Sequence, residues 1–276
     1  MAQEPEHRML FDVRGRRKRV IQVIYVILAI IMAASLVLLI PGLFNGNQSV
    51  DRSASEANLK RAEELQTKHE AQPNNQNVTR ELIRARIAAG NSLVEIDTTT
   101  GAQTVTDEAQ SQYQLAAQTW DTYVKESKDQ PDPAVAQLMA GTLFNLAQGS
   151  TVAQFQQNIS DAARAQAFYA ENAVKEQDKG GVNAAGPLTQ LATYQLYAQM
   201  YDEAAQTRKK AIAATPDKTE QKQIEQTLDS TEKDAKRVGK LIKQAKKQAQ
   251  KDGGKSLENP LGSLGSGDSL GGTTTP

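Results

Sequence analysis

The stretch of sequence that decides the fold is LTQLATYQLYAQMYDEAAQTRKKAIAATP, residues 188–216. Good helix formers dominate it, and its apolar residues recur at helical spacing up to Pro216. We therefore predict an antiparallel pair of helices, Pro187–Met200 and Tyr201–Ala214. Small side chains let two helix backbones approach closely, while larger apolar side chains fill the seam between successive pairs. The small residues are Ala192, Ala204 and Ala211, and the large ones are Leu188, Leu191 and Ile212.

The same stretch resembles a tetratricopeptide repeat (TPR). The family pattern has a large residue, then leucine and a small residue, an alanine opening the second helix, another small residue and a closing proline. The residues in register without a gap are Leu188, Leu191, Ala192, Ala204, Ala211 and Pro216. Gln195 and Arg208 depart from it, because the family usually has aromatic residues there. The resemblance implies a solenoid of helical hairpins whose first helices, the A helices, line a peptide-binding groove.

Two weaker copies precede this repeat. Gly90, Gly141 and Ala192 are spaced evenly at 51 residues, which is longer than the TPR period of about 34. Gly141 with Phe144 resembles the core of an A helix. For the second, or B, helices the matching residues are Ala116 with Trp120 and Ala165 with Tyr169. The TPR resemblance thus covers roughly residues 79–216, and a generic helical bundle is the alternative fold.

Outside the stretch quoted above, periodicity and helix breakers predict further helices between Ser55 and Gln250. Alternating β-branched runs are too short to support strands. The fold class is therefore all-α. A long charged helix follows the repeats and places an apolar stripe where it can cover the last repeat. Its other faces carry Lys236, Arg237, Lys240, Lys243, Lys246, Lys247 and Lys251. The expected helices are Ser55–Ala71, Val78–Ile96, Thr106–Ser127, Pro133–Gly149, Thr151–Gln177 and, after the pair above, Asp217–Gln250.

A membrane anchor is expected near the beginning of the chain. Val20–Ile40 contains 21 residues and no charge, enough for a helix to cross the hydrocarbon core of about 30 Å. A cleaved signal peptide is the alternative, but its apolar region is shorter and precedes a small-residue cleavage site. The basic residues before the span place the N-terminus in the cytoplasm and the following domain outside it. They are Arg14, Arg16, Arg17, Lys18 and Arg19.

The expected organisation has six parts, of which the last is rich in glycine and serine and should be disordered. The parts are a cytoplasmic basic stub (1–19), a transmembrane helix (20–40), a stalk (41–54), the TPR-like domain (55–216), a charged capping helix (217–252) and the tail (253–276).

Composition argues against several classes of function. The chain has 32 basic and 32 acidic residues, so no overall positive field attracts nucleic acid. It has no cysteine and two histidines, His7 and His69, which leaves no thiolate site and no constellation of nucleophile and base. No Gly-rich phosphate loop follows a strand. We therefore expect a non-enzyme without cofactor or metal.

The expected function is a scaffold on the extracytoplasmic side of a bacterial inner membrane. In TPR proteins, polar side chains of the A helices hold peptide backbones, and the residues of that type here are Gln137, Asn145, Gln190 and Gln195. The layout is similar to that of membrane-anchored bacterial TPR proteins such as the ancillary subunit of the Sec translocon, which implies a role in protein translocation or envelope assembly. The alternative is a structural protein that self-associates and contacts the membrane surface through its basic C-terminal helix.

Overall fold

A computed structural model describes residues 52–96, 103–148, 151–181 and 183–251. The predicted basic stub, transmembrane helix and tail lie outside these ranges. Within them no helix is both long and apolar enough to cross a membrane. The elements are α1 (Arg52–Ala71), α2 (Gln76–Ser92), β1 (Glu95–Ile96), β2 (Gln103–Thr104), α3 (Asp107–Glu126), α4 (Pro133–Gln148), α5 (Val152–Gln177), α6 (Ala185–Tyr197), α7 (Tyr201–Ala213) and α8 (Lys218–Lys251).

The described chain is helical apart from two strands of two residues each, which confirms the all-α prediction for this part. Consecutive helices pack as the hairpins α2/α3, α4/α5 and α6/α7. We call α2, α4 and α6 the A helices and α3, α5 and α7 the B helices. Helix α1 packs along α2 before the first hairpin, and α8 packs mainly along α6 after the last one.

Short polar side chains set where the helices begin. The Thr106 hydroxyl accepts a hydrogen bond from the Ala109 amide, and Thr151 forms a capping box with Gln154. The Asp132 carboxylate accepts from the amides of Ala134 and Val135 at the start of α4. Each such cap contributes about 1 kcal/mol, because it pairs amides that have no partner within the helix. These residues explain why the predicted starts of α3, α4 and α5 lie within one residue of the observed ones.

The second helix is shorter than predicted. It was expected to reach Ile96, but α2 ends at Ser92, and Glu95 and Ile96 pair antiparallel with Thr104 and Gln103. The Leu93 carbonyl accepts a hydrogen bond from the Thr106 hydroxyl at 3.1 Å instead of continuing the helical ladder. The first helix, α1, is longer than predicted: it begins at Arg52, within the stretch predicted as stalk.

Two apolar clusters join the hairpins. The first lies between α2, α3, α4 and α5, where the Trp120 ring contacts Phe168 edge-on at 6.3 Å between centroids. The second joins α5, α6, α7 and the first half of α8. Among the residues predicted to pack these seams, Phe144 is partly exposed and Pro216 is exposed, whereas a larger set is buried. The buried set is Ala116, Trp120, Leu188, Leu191, Ala192, Ala204 and Ala211.

Gly90 and Gly141 do not share one role, although the sequence predicted the same role for both. A Cβ on Gly90 would lie 2.5 Å from Cε1 of Tyr113, so the absence of a side chain lets α2 and α3 approach. A Cβ on Gly141 would meet no atom within 4 Å. The prediction that Gly141 packs a seam is therefore wrong, because this residue points away from the neighbouring helices. The fully buried Ala140 is the small residue of α4 that lies in the core.

Candidate functional site

Aromatic side chains bring the A helices α4 and α6 together. The Phe144 ring stacks on Tyr194, with centroids 4.8 Å apart and an angle of 23° between the planes. Tyr197 lies one helical turn further along α6, with its centroid 6.2 Å from that of Phe144. Tyr194 and Tyr197 are three residues apart, so both project from the same face of α6. We call Phe144, Tyr194 and Tyr197 the aromatic cluster.

Hydrogen bonding holds one ring of this cluster in place. The Gln190 side-chain amide donates to the Tyr194 hydroxyl at 2.7 Å. Burial raises the pKa of Tyr194, against the opposing effect of the Gln190 hydrogen bond, so this hydroxyl stays protonated at neutral pH. Burial and the Asp234 carboxylate of α8 also raise the pKa of Tyr197. The cluster is therefore uncharged at neutral pH, and its rings connect α4 with α6.

The four groove candidates occupy different environments. Asn145 is exposed on α4, and Gln137 of the same helix is half-buried. Gln190 is half-buried and engaged with Tyr194. Gln195 is buried, with 9% of its surface exposed, and its Oε1 has no hydrogen-bond partner in the described part of the chain. The prediction that Gln195 faces a groove is therefore wrong: it lies on the side of α6 that packs into the domain.

Helix α8 reaches further than predicted. Its apolar stripe was expected to cover the last repeat, and Ile224, Leu228 and Ala235 do pack with α6 and α7. Beyond them, Val238 and Ile242 are buried against the preceding hairpin. Their cluster contains Ala147, Phe155 and Ile159, with Phe144, Val152, Tyr197 and Ala198 packed against it.

Helix α8 crosses close to the turn between α6 and α7. A Cβ on Gly239 would lie 3.4 Å from the side chain of Gln199, in the turn between α6 and α7. The helix therefore passes this turn closely enough for Val238 and Ile242 to reach the end of α4. One edge of the aromatic cluster is consequently covered by a helix of the same chain.

An ion-pair cluster joins the first two A helices at the opposite end of α4. Asp132 accepts from Arg80 at 2.8 Å and lies 3.4 Å from Arg84, both on α2. Burial alone would raise the pKa of Asp132, but the Val135 amide and the two arginines outweigh it and hold the pKa below its ordinary value. Sequence reasoning missed this contact, although the four-residue spacing of the arginines places both on one face of α2.

The side chains of α4 and α6 around the aromatic cluster include amides and aromatic rings. Among the described residues no group of three or more histidine, cysteine or acidic side chains could hold a metal ion. His69 lies 3.3 Å from the Thr79 hydroxyl between α1 and α2, away from the aromatic cluster. Amide side chains on α4 and α6 can pair with peptide groups, and partly buried rings can hold apolar side chains.

No protein-family model, curated protein or solved structure matches this chain. The resemblance to TPR proteins therefore stays a prediction from the residues quoted above. Arg14, Arg16, Arg17, Lys18 and Arg19, from which the topology was predicted, precede the described residues.

Proposed function

We propose that this protein is a membrane-anchored scaffold of the TPR type, which binds proteins or peptides on the extracytoplasmic side of a bacterial inner membrane. Its proposed place is in protein translocation or envelope assembly. The anchor and orientation follow from residues 14–40 of the sequence. The binding role is supported by the geometry of the hairpins. We propose no catalytic activity and no cofactor.

We call the surface formed by α2, α4 and α6 the A face. The observation that carries the proposal is the way the domain holds α8 at one end of this face. Val238 and Ile242, four residues apart, are buried in one cluster with Phe155 and Ile159 of α5, and Phe144 and Tyr197 pack against that cluster. This is how an amphipathic helix binds in an apolar groove, through residues repeated on one face. The chain thus already holds one helical segment where α4, α5 and α6 meet.

Polar side chains on α4 remain accessible to another segment. On α4, Asn145 is exposed and Gln137 is half-buried, so another segment can reach both side chains. Their amide groups can donate to and accept from a peptide backbone. The proposed partner is therefore a protein segment that lies along α4, in contact with Gln137 and Asn145.

The test is site-specific photo-crosslinking of the full chain in cells, followed by mass spectrometry of the adducts. A photoreactive residue replaces Asn145 on the A face, and in a matched control it replaces Gln206, which is exposed on the B helix α7. We expect a defined partner at Asn145 and none, or much less of it, at Gln206. Equal labelling from both sites, or no adduct from Asn145, would contradict binding on the A face.

A further inference from the structure

The charges of α8 are segregated along its length. All five of its acidic residues lie in the first half, and Asp234 is the last of them. From Ala235 to Lys251 the helix has seven basic residues and no acidic one. The chain as a whole has equal numbers of basic and acidic residues, so this local excess of positive charge is a property of one helical segment.

The lysines of this segment form a stripe. Lys236, Lys240, Lys243 and Lys247 are spaced by four, three and four residues, which places them on one helix face over about 16 Å. All four are exposed. Val238 and Ile242 lie roughly opposite, because two residues along a helix turn by about 200°. We call the four lysines the lysine stripe.

Little of this charge is neutralised within the domain. Lys236 pairs with Glu232 at 2.5 Å, and the neighbouring Arg237 lies 3.7 Å from Asp234. In the described part of the chain Lys240, Lys243 and Lys247 have no ion pair within 4.0 Å. Among the described residues, these three exposed cations therefore have no counter-charge within ion-pair distance.

We propose that the lysine stripe binds the anionic headgroups of phospholipids in the membrane that holds the chain. This inference rests on the proposed membrane anchor. Lysine is a flexible point charge, which suits a planar surface of mobile phosphates better than the fixed geometry of one carboxylate or phosphate ligand. The anchor keeps the domain near the bilayer, so a weak surface contact forms at high effective concentration.

The structure also specifies the kind of contact. A basic amphipathic helix commonly buries its apolar face among lipid chains. Here the apolar residues Val238 and Ile242 are already buried against α4, α5 and α6. The exposed residues from Lys236 to Lys247 are all polar or charged, so the helix touches headgroups without insertion, and the contact depends on salt. Each lysine near an anionic leaflet should raise the bound population about fivefold.

The test places a single fluorophore beside the stripe in the full chain. The protein has no cysteine, so Gln244→Cys gives one labelling site on the exposed side of α8. The chain is reconstituted in nanodiscs of phosphatidylcholine, alone or mixed equally with phosphatidylglycerol, that contain a headgroup nitroxide quencher. We expect strong quenching only in the anionic nanodiscs. Raising salt from about 0.1 M to about 1 M should abolish it, because the Debye length falls from about 10 Å to about 3 Å.

Matched variants isolate the stripe. Replacing Lys240 and Lys243 by glutamine should lower the ratio of contacting to free helix about fivefold for each lysine. Replacing Lys209 and Lys210, which are exposed on α7, should leave quenching unchanged. Circular dichroism of each variant verifies that it is folded.

Four outcomes would overturn the inference. Equal quenching in both kinds of nanodisc, or quenching that survives high salt, would contradict an electrostatic headgroup contact. Absence of quenching in a chain that co-elutes with anionic nanodiscs would contradict lipid contact but leave the proposed anchor intact. That result would be expected if the stripe bound an acidic protein instead of lipid. A chain that does not co-elute with nanodiscs would overturn the proposed anchor and, with it, this inference.

Discussion

The hairpins α2/α3 and α4/α5 each carry a glycine at the matching place in one sequence pattern, and the two glycines lie in opposite surroundings. Gly90 faces the ring of Tyr113, whose Cε1 lies 2.5 Å from where a Cβ would stand. Gly141 has nothing within 4 Å of that position. A small residue permits two helices to approach, but a close approach needs a large side chain on the facing helix to fill the seam.

The largest effect is expected at Ala192 in the hairpin α6/α7, which is the third of the evenly spaced small residues after Gly90 and Gly141. Ala192 is fully buried, and Ala192→Trp should overpack this hairpin and lower the free energy of unfolding by about 3 kcal/mol. Urea unfolding of the full chain in detergent, followed by circular dichroism, measures the change. An unchanged midpoint would show that Ala192 is not in a tight seam and that the comparison fails at this repeat.

Gly90→Ala should lower the free energy of unfolding by about 2 kcal/mol, because the new methyl group must displace the buried Tyr113 ring. The same unfolding measurement tests it. Combining Gly90→Ala with Tyr113→Leu provides the control: if the clash is the cause, the double variant should lose less than the sum of the two single losses. Additive losses would contradict a direct contact between these positions.

The two hairpins also meet at Asp132, where a smaller effect is expected. Asp132→Asn should cost about 1 kcal/mol at neutral pH, because it weakens the ion pairs with Arg80 and Arg84. The folded protein holds the pKa of Asp132 below its ordinary value, so this contribution is present above about pH 4 and is lost as pH falls through the folded pKa. Unfolding free energies of both proteins from neutral to acidic pH should converge. A difference independent of pH would exclude the ionised carboxylate as the cause.

The smallest effect is a gain. Gly141→Ala should raise the free energy of unfolding by about 0.5 to 1 kcal/mol, because alanine restricts the unfolded chain and the methyl group meets no neighbour. Thermal melting of both variants measures the effect. If the comparison is right, Gly141→Ala raises the melting temperature and Gly90→Ala lowers it. A loss at Gly141 would mean that α4 packs there more closely than the structure shows.

Local chemistry accounts for what could be predicted. Helix starts at Thr106, Pro133 and Thr151 were found because capping groups and a first-turn proline act within one turn of the chain. The end of α2 was missed because it depends on Thr106, 13 residues beyond Leu93, donating to the Leu93 carbonyl. Among the groove candidates, the sequence pattern could not distinguish the exposed Asn145 from the buried Gln195, because both are polar residues on A helices.

The residue pattern by itself determined that the described chain is helical, where most of its helices begin, and that small residues alternate with large ones in the last hairpin. These properties depend on contacts between near neighbours in the chain. The tertiary structure alone decided that Tyr113 fills the space beside Gly90, that Gly141 faces away from the neighbouring helices, and that α8 extends past the last hairpin to Phe155 and Ile159. Each of these depends on which surface of one helix meets another, and helical periodicity specifies a face without specifying what packs against it.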